Sequence, residues 1–175
     1  MRGRTGVAAL AGAILIVLGC LADAALAASP YRATIRRTAY GIPHIEARSF
    51  GGLGFGYGYA FAQDNICTMA DTYVTVDAQR SRWFGPNGSY QQRGNGVSVN
   101  NLDSDFFFKQ IIDSRKVESL LAQKPPQGIV AEGKAVVRGY VRGYNKYLSD
   151  VGGAKEIKDP TCRGKPRLVV TKVRM

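Results

Sequence analysis

From Tyr31 the chain alternates loosely between apolar and polar positions, Tyr-Arg-Ala-Thr-Ile-Arg-Arg-Thr through Thr38, and its β-branched residues favour a strand. Tyr40-Gly41 marks a turn, and the extended pattern resumes through His44-Ile45-Glu46, which predicts an N-terminal β-hairpin. Gly41 accommodates a positive φ there, while Pro43, lacking an N–H, suits a strand start or an edge rather than a central ladder. From Ser49, a candidate N-cap, the period lengthens to that of a helix. Gly54, Gly58 and Ala62 recur every four residues and lay small side chains along one face, where another backbone can approach. Each helical glycine costs up to about 1 kcal/mol relative to alanine, so this segment needs tight tertiary packing. Tyr59 to Arg82 reads as continued helix, ended by Trp83-Phe84-Gly85-Pro86-Asn87-Gly88.

Ser89 to Asn101, rich in Gly, Asn, Ser and Gln and without a sustained period, reads as an exposed connection. A helix restarts at Leu102-Asp103-Ser104-Asp105, with Phe106, Phe107, Ile111 and Ile112 roughly on one side. A short second helix spans Arg115 to Gln123 and stops at Pro125-Pro126. Between Pro126 and Asp150, Ile129, Val136, Val137, Tyr140, Tyr144, Tyr147 and Leu148 keep the 3.6-residue period, with Lys134, Arg138, Arg142 and Lys146 opposite. That pattern predicts an amphipathic helix whose apolar stripe is core. The fold class expected is mainly α with a short N-terminal β-hairpin.

Upstream, Arg2 and Arg4 precede an apolar run from Val7 to Leu18, too short to span a bilayer but suited to an export signal. Ala25-Leu26-Ala27 fits a small-x-small cleavage site, so residues 1–27 are assigned to a leader; the alternative is a lipoprotein signal with Cys20 lipidated. A periplasmic or secreted location follows, with no stable membrane span once the leader is removed. Export leaves Cys67 and Cys162 in an oxidising compartment, where they suggest one disulfide; two buried thiols are the alternative. Closing so long a loop is worth about 4 to 5 kcal/mol in the chain-entropy account.

The net charge of +11 raises the question of nucleic acid. The basic residues are dispersed along helices without a recognised binding motif, so solvated surface is the better reading and no nucleic-acid partner is expected. Arg163, Lys165, Arg167, Lys172 and Arg174 concentrate in a basic tail. The one histidine, His44, follows Pro43 in a strand-turn context, and no Gly-x-Ser-x-Gly elbow is present to complete a serine triad. An imidazole bonded to backbone near the turn is expected. Neither cysteine has a zinc-ligand neighbour, and the glycine run at 51–58 lacks the lysine of a phosphate loop. Asp64, Asp71 and Asp77 read as solvated or paired with Arg80 or Arg82.

Two motifs carry a resemblance. Tyr40-Gly41-Ile42-Pro43-His44-Ile45, followed by Gly56-Tyr57-Gly58-Tyr59-Ala60-Phe61-Ala62-Gln63-Asp64-Asn65, resembles the opening of the α chain of penicillin-acylase-type N-terminal-nucleophile hydrolases. Cys67, Arg80-Ser81-Arg82-Trp83-Phe84-Gly85, Gly139 to Leu148 and Pro160-Thr161-Cys162 look like the branch of acyl-homoserine-lactone and aculeacin-type acylases. Tyr40, Gly41, Pro43, His44, Gly58 and Asp64 are thereby structural motif positions. The resemblance covers about residues 31–166, within an α-chain-like region assigned to residues 28–166, and implies part of the α chain of a four-layer αββα fold.

In that family a precursor cleaves itself into an α chain and a longer β chain, whose N-terminal serine uses its own α-amino group as base. The resemblance therefore implies a β-chain partner of the same precursor and hydrolysis of N-acyl-homoserine lactones, a quorum-quenching activity, or of related N-acyl compounds. No residue here is carried over as catalytic. No cofactor is assigned; some members bind calcium, but no matching ligand set is identifiable. After Pro166 the resemblance stops, and residues 167–175 form a divergent tail, so a truncated or frame-shifted α chain is expected. The alternative is a stand-alone exported basic scaffold or binding protein without catalysis.

Overall fold

The computed structural model describes residues 31–160 and 162. The leader at residues 1–27, Cys20 and the tail at 167–175 lie outside the described residues.

The expected hairpin forms from β1 (Thr34–Arg37) and β2 (Pro43–Glu46), antiparallel, with Ile35 opposite Ile45 and Arg36 opposite His44. Thr38 closes the turn: its carbonyl accepts from Gly41 N at 2.9 Å, its hydroxyl accepts from Ile42 N at 3.1 Å, and Gly41 takes φ +79°. Pro43 opens β2, where its missing donor costs no central ladder bond.

Helix α1 (Phe50–Val76) starts where the sequence places it, with Ser49 Oγ accepting from Gly52 N at 3.0 Å, and is kinked at Asn65. Its glycines face two ways. A Cβ on Gly56 would fall 2.6 Å from the Ile45 side chain of the hairpin, whereas one on Gly54 or Gly58 would fall 2.0 or 2.1 Å from the carbonyl oxygens of Val136 and Tyr140. Those carbonyls belong to α5 (Ala131–Asp150), and the approach is reciprocal, since Gly139 and Gly143 meet the carbonyls of Gly51 and Phe55. The small-residue strip is thus filled by this chain's own last long helix. Pro126 to Val130 precede α5 rather than joining it.

The helix expected to run to Arg82 is interrupted. Ala78 adopts a left-handed φ of +54°, and α2 (Arg80–Phe84) starts afresh because the Asp105 carboxylate accepts from Arg80 N at 2.9 Å and Ser81 N at 2.7 Å. The segment expected to be a plain connection contains a second antiparallel hairpin, β3 (Ser89–Gln91) with β4 (Ser98–Asn100), Tyr90 opposite Val99. Strands this short carry no alternation for a sequence to display.

Asn100 caps α3 (Asn101–Asp113) by accepting from Leu102 N at 2.8 Å, and α4 (Lys116–Ala122) follows Arg115. The core lies between α1 and α5: Ala62, Ile66, Met69 and Ala70 pack with Tyr144, Leu148 and Ile157. Cys67 and Cys162 are bridged there with Cα atoms 5.5 Å apart. No helix among the described residues is long and apolar enough to cross a membrane.

Candidate functional site

The two motif segments meet through a residue that sequence reasoning passed over. Arg37 Nη1 donates to the carbonyl of Gly41 at 2.7 Å and to Asp64 Oδ2 at 3.1 Å, while Nη2 donates to Gln63 Oε1 at 3.0 Å and Ala60 O at 3.4 Å. One guanidinium therefore ties the hairpin turn to the middle of α1, and Asp64 pairs with Arg37 rather than with Arg80 or Arg82. The turn presents Tyr40 to solvent, 94% exposed. His44 is exposed on β2, where its backbone pairs with Arg36, and its imidazole makes no hydrogen bond among the described residues rather than the backbone bond expected. Gly58 lies in the α1–α5 crossing, away from any polar cluster. The only signal for Arg37 was its place at the end of β1, a position shared by many arginines that do nothing.

A second node is centred on Arg80, 4% exposed. Its Nη1 donates to Asp71 Oδ1 at 2.9 Å and Thr75 Oγ1 at 2.8 Å, its Nε to Asn101 Oδ1 at 3.0 Å. The guanidinium carbon stands 3.7 Å from the Tyr90 ring centre and 4.8 Å from that of Phe84. The pairing expected for Asp71 is present, and the buried charge is balanced by that carboxylate and by the hydrogen bonds that Nη1 and Nε donate to Thr75 and Asn101. Asp77, by contrast, caps the end of α1 with its backbone N–H.

The aromatic stripe of α5 is core only in part. Tyr144 and Leu148 are buried, whereas Val137 remains exposed because the glycines Gly139 and Gly143, not the large apolar residues, define the contact line; Ile129, exposed too, lies before the helix begins. Tyr144 stacks edge-on against Tyr73, Tyr140 lies beside Tyr57, and Tyr140 Oη points at Met69 Sδ from 3.9 Å. Burial pushes the phenols of Tyr140, Tyr144 and Tyr73 above their ordinary value, which keeps them neutral hydroxyls at physiological pH rather than activated nucleophiles. At the end of α5, Lys146 hydrogen-bonds Asp150 and holds its carboxyl below the usual range, with Tyr59 Oη donating to the same group at 3.1 Å.

Among the described residues no group of three His, Cys, Asp or Glu is disposed to hold a metal ion. The polar side chains that are brought together, Arg37 with Asp64 and Arg80 with Asp71, are engaged with backbone or with each other. Chemically the arrangement positions backbone and displays surface.

Residues 32–168 match the family model for penicillin amidase. An aculeacin-A acylase of Actinoplanes utahensis is 44% identical over 138 residues, 77% of this chain and 16% of that relative. An acyl-homoserine lactone acylase of Pseudomonas fluorescens is 43% identical over 119 residues, 67% of this chain and 14% of that relative. The chain thus spans only 14 to 16% of the length of these curated relatives. A thermostable penicillin G acylase from Alcaligenes faecalis has a TM-score of 0.49 at 27% identity, covering 69% of this chain and 54% of that one.

Proposed function

From the premise that this chain belongs to the penicillin amidase family, we propose that it is the non-catalytic α-chain part of an exported amidohydrolase. The substrate class is N-acyl-homoserine lactones or related N-acyl compounds, cleaved at the linear amide. Hydrolysis requires a β chain whose N-terminal serine is the nucleophile and whose α-amino group is the base. The observation that carries this reading is the use made of the motif residues: Gly41 and Asp64 are bound by one arginine, and Gly58 seats a backbone carbonyl. Such residues build a scaffold and leave bond cleavage to another polypeptide. The acylase names of the relatives support the reaction class. Export is supported by the Cys67–Cys162 bridge, since disulfides of this kind persist in oxidising compartments, and residues 1–27 are proposed as the leader.

The test is hydrolysis of a long-chain N-acyl-homoserine lactone by the purified chain, first alone and then with a serine-led large chain of a family acylase. No turnover alone and turnover in the mixture is the expected result. Steady hydrolysis by the isolated chain would place the nucleophile here and end the proposal.

A further inference from the structure

Beyond Asp105 the α3–α4 arm has little behind it. None of the residues of α4 is buried, and of α3 only Asn101 and Ser104 are. Phe106 and Phe107 are 67% and 59% exposed, Leu102 is exposed one turn earlier, and Val117 and Leu120 are exposed on α4. The four apolar residues expected to share one side of α3 therefore divide, with Ile111 half-buried and Phe106, Phe107 and Ile112 exposed. Two adjacent phenylalanines left in water forfeit one of the larger hydrophobic gains a short helix can make.

We infer that the outer face of α3, centred on Phe106 and Phe107, is a docking surface for the large chain of the amidohydrolase. This rests on the α-chain reading above. The occupant is chosen on size: the two relatives extend far beyond the stretch matched here, which is 16% or less of each, so most of their polypeptide lies outside it and must pack somewhere. A lipid surface is a poorer fit, since the polar positions of this arm carry both signs, Asp103, Asp113 and Glu118 beside Lys109 and Lys116, rather than the cationic face that anionic membranes select. Lys109 is moreover paired with Asp113.

The experiment co-expresses the tagged full-length chain with the serine-led large chain of the aculeacin-A acylase and measures capture. The variants are Phe106→Lys/Phe107→Lys and the milder Phe106→Ala/Phe107→Ala; both sites are exposed, and unchanged circular dichroism checks the fold of each. The parent is expected to capture the large chain, the lysine pair to lose at least tenfold, the alanine pair to fall between, and Val97→Lys on the second hairpin to be unaffected. Full capture by the folded lysine pair, or equal loss with Val97→Lys, overturns the docking face while leaving the α-chain reading intact. No capture by the parent overturns both. A parent that instead dimerises or binds vesicles through Phe106 and Phe107 assigns the face to another occupant and overturns the inference.

Discussion

Replacing Gly58 by alanine probes the α1–α5 crossing at its tightest. The added Cβ would lie 2.1 Å from the Tyr140 carbonyl oxygen and 2.8 Å from its carbon, where ordinary contact starts at 3.4 Å. The obstacle is backbone inside a helix, so no rotamer change relieves it and the helices must separate by roughly 1 Å. A gap of that size forfeits about a quarter to a half of the dispersion attraction between facing atoms. Overpacking typically costs about 1 to 3 kcal/mol, and a rigid obstacle argues for the upper end. Alanine's better helix propensity returns about 1 kcal/mol, leaving a net loss of about 2 kcal/mol. Urea unfolding of the disulfide-intact chain, followed by circular dichroism, should show a lower midpoint at unchanged slope. Gly133→Ala is the control: its Cβ meets only side-chain methyls, of the exposed Ile129 at 2.7 Å and Val130 at 3.8 Å, and the change should stay within about 1 kcal/mol. Adding Gly143→Ala to Gly58→Ala should cost less than the two separately, because the crossing is already open. A Gly58→Ala chain as stable as its parent, or strictly additive losses, would refute the reasoning.

Three further outcomes are expected. Cys67→Ser removes a bridge spanning a sequence separation of 95 and should lower stability by about 4 kcal/mol in the chain-entropy account, while unreduced peptide mapping of the parent recovers the Cys67–Cys162 crosslink; a loss below about 1 kcal/mol would show that the bridge constrains nothing. The raised phenols of Tyr140 and Tyr144 bind protons in the folded state that the unfolded state releases near pH 10, so stability is fully present below about pH 10 and falls as pH rises through the higher folded values. Tyr144 Oη is buried without a partner among the described residues, so Tyr144→Phe should be neutral or stabilising by about 1 kcal/mol and should flatten the alkaline decline in pH-dependent melts; a large destabilisation would count against this.

What the sequence displayed was local. The Gly41 turn, the Ser49 cap, the helical course of α1 and α5 and the cysteine pair each leave a signature within a few residues or in the cysteine count, and each is found. The scaffold's fixing points were hidden because they join distant residues: Arg37 reaches Asp64, and Asp105 caps a helix that begins at Arg80. The four-residue spacing of Gly139 and Gly143 matches that of Gly54 and Gly58 and was visible, but only the fold shows the two sets to be counterparts. The second hairpin escaped for a different reason, since Tyr90 is held there by Arg80 and Ser104 rather than by any hydrophobic alternation.

The pairing of α1 with α5 also governs how such a polypeptide acquires its interior. Gly54 and Gly58 meet residues roughly eighty positions downstream, and contacts of that separation form late and slowly. A nascent chain that has produced α1, both hairpins and α3 still has nothing to close against its glycine ridge, so it stays pliant and easily threaded until α5 emerges. Lengthening the detour between Asp77 and Val130 would cost only about 0.6 kcal/mol per doubling, whereas stopping short of Ala131 would leave α1 without the helix that closes the interior.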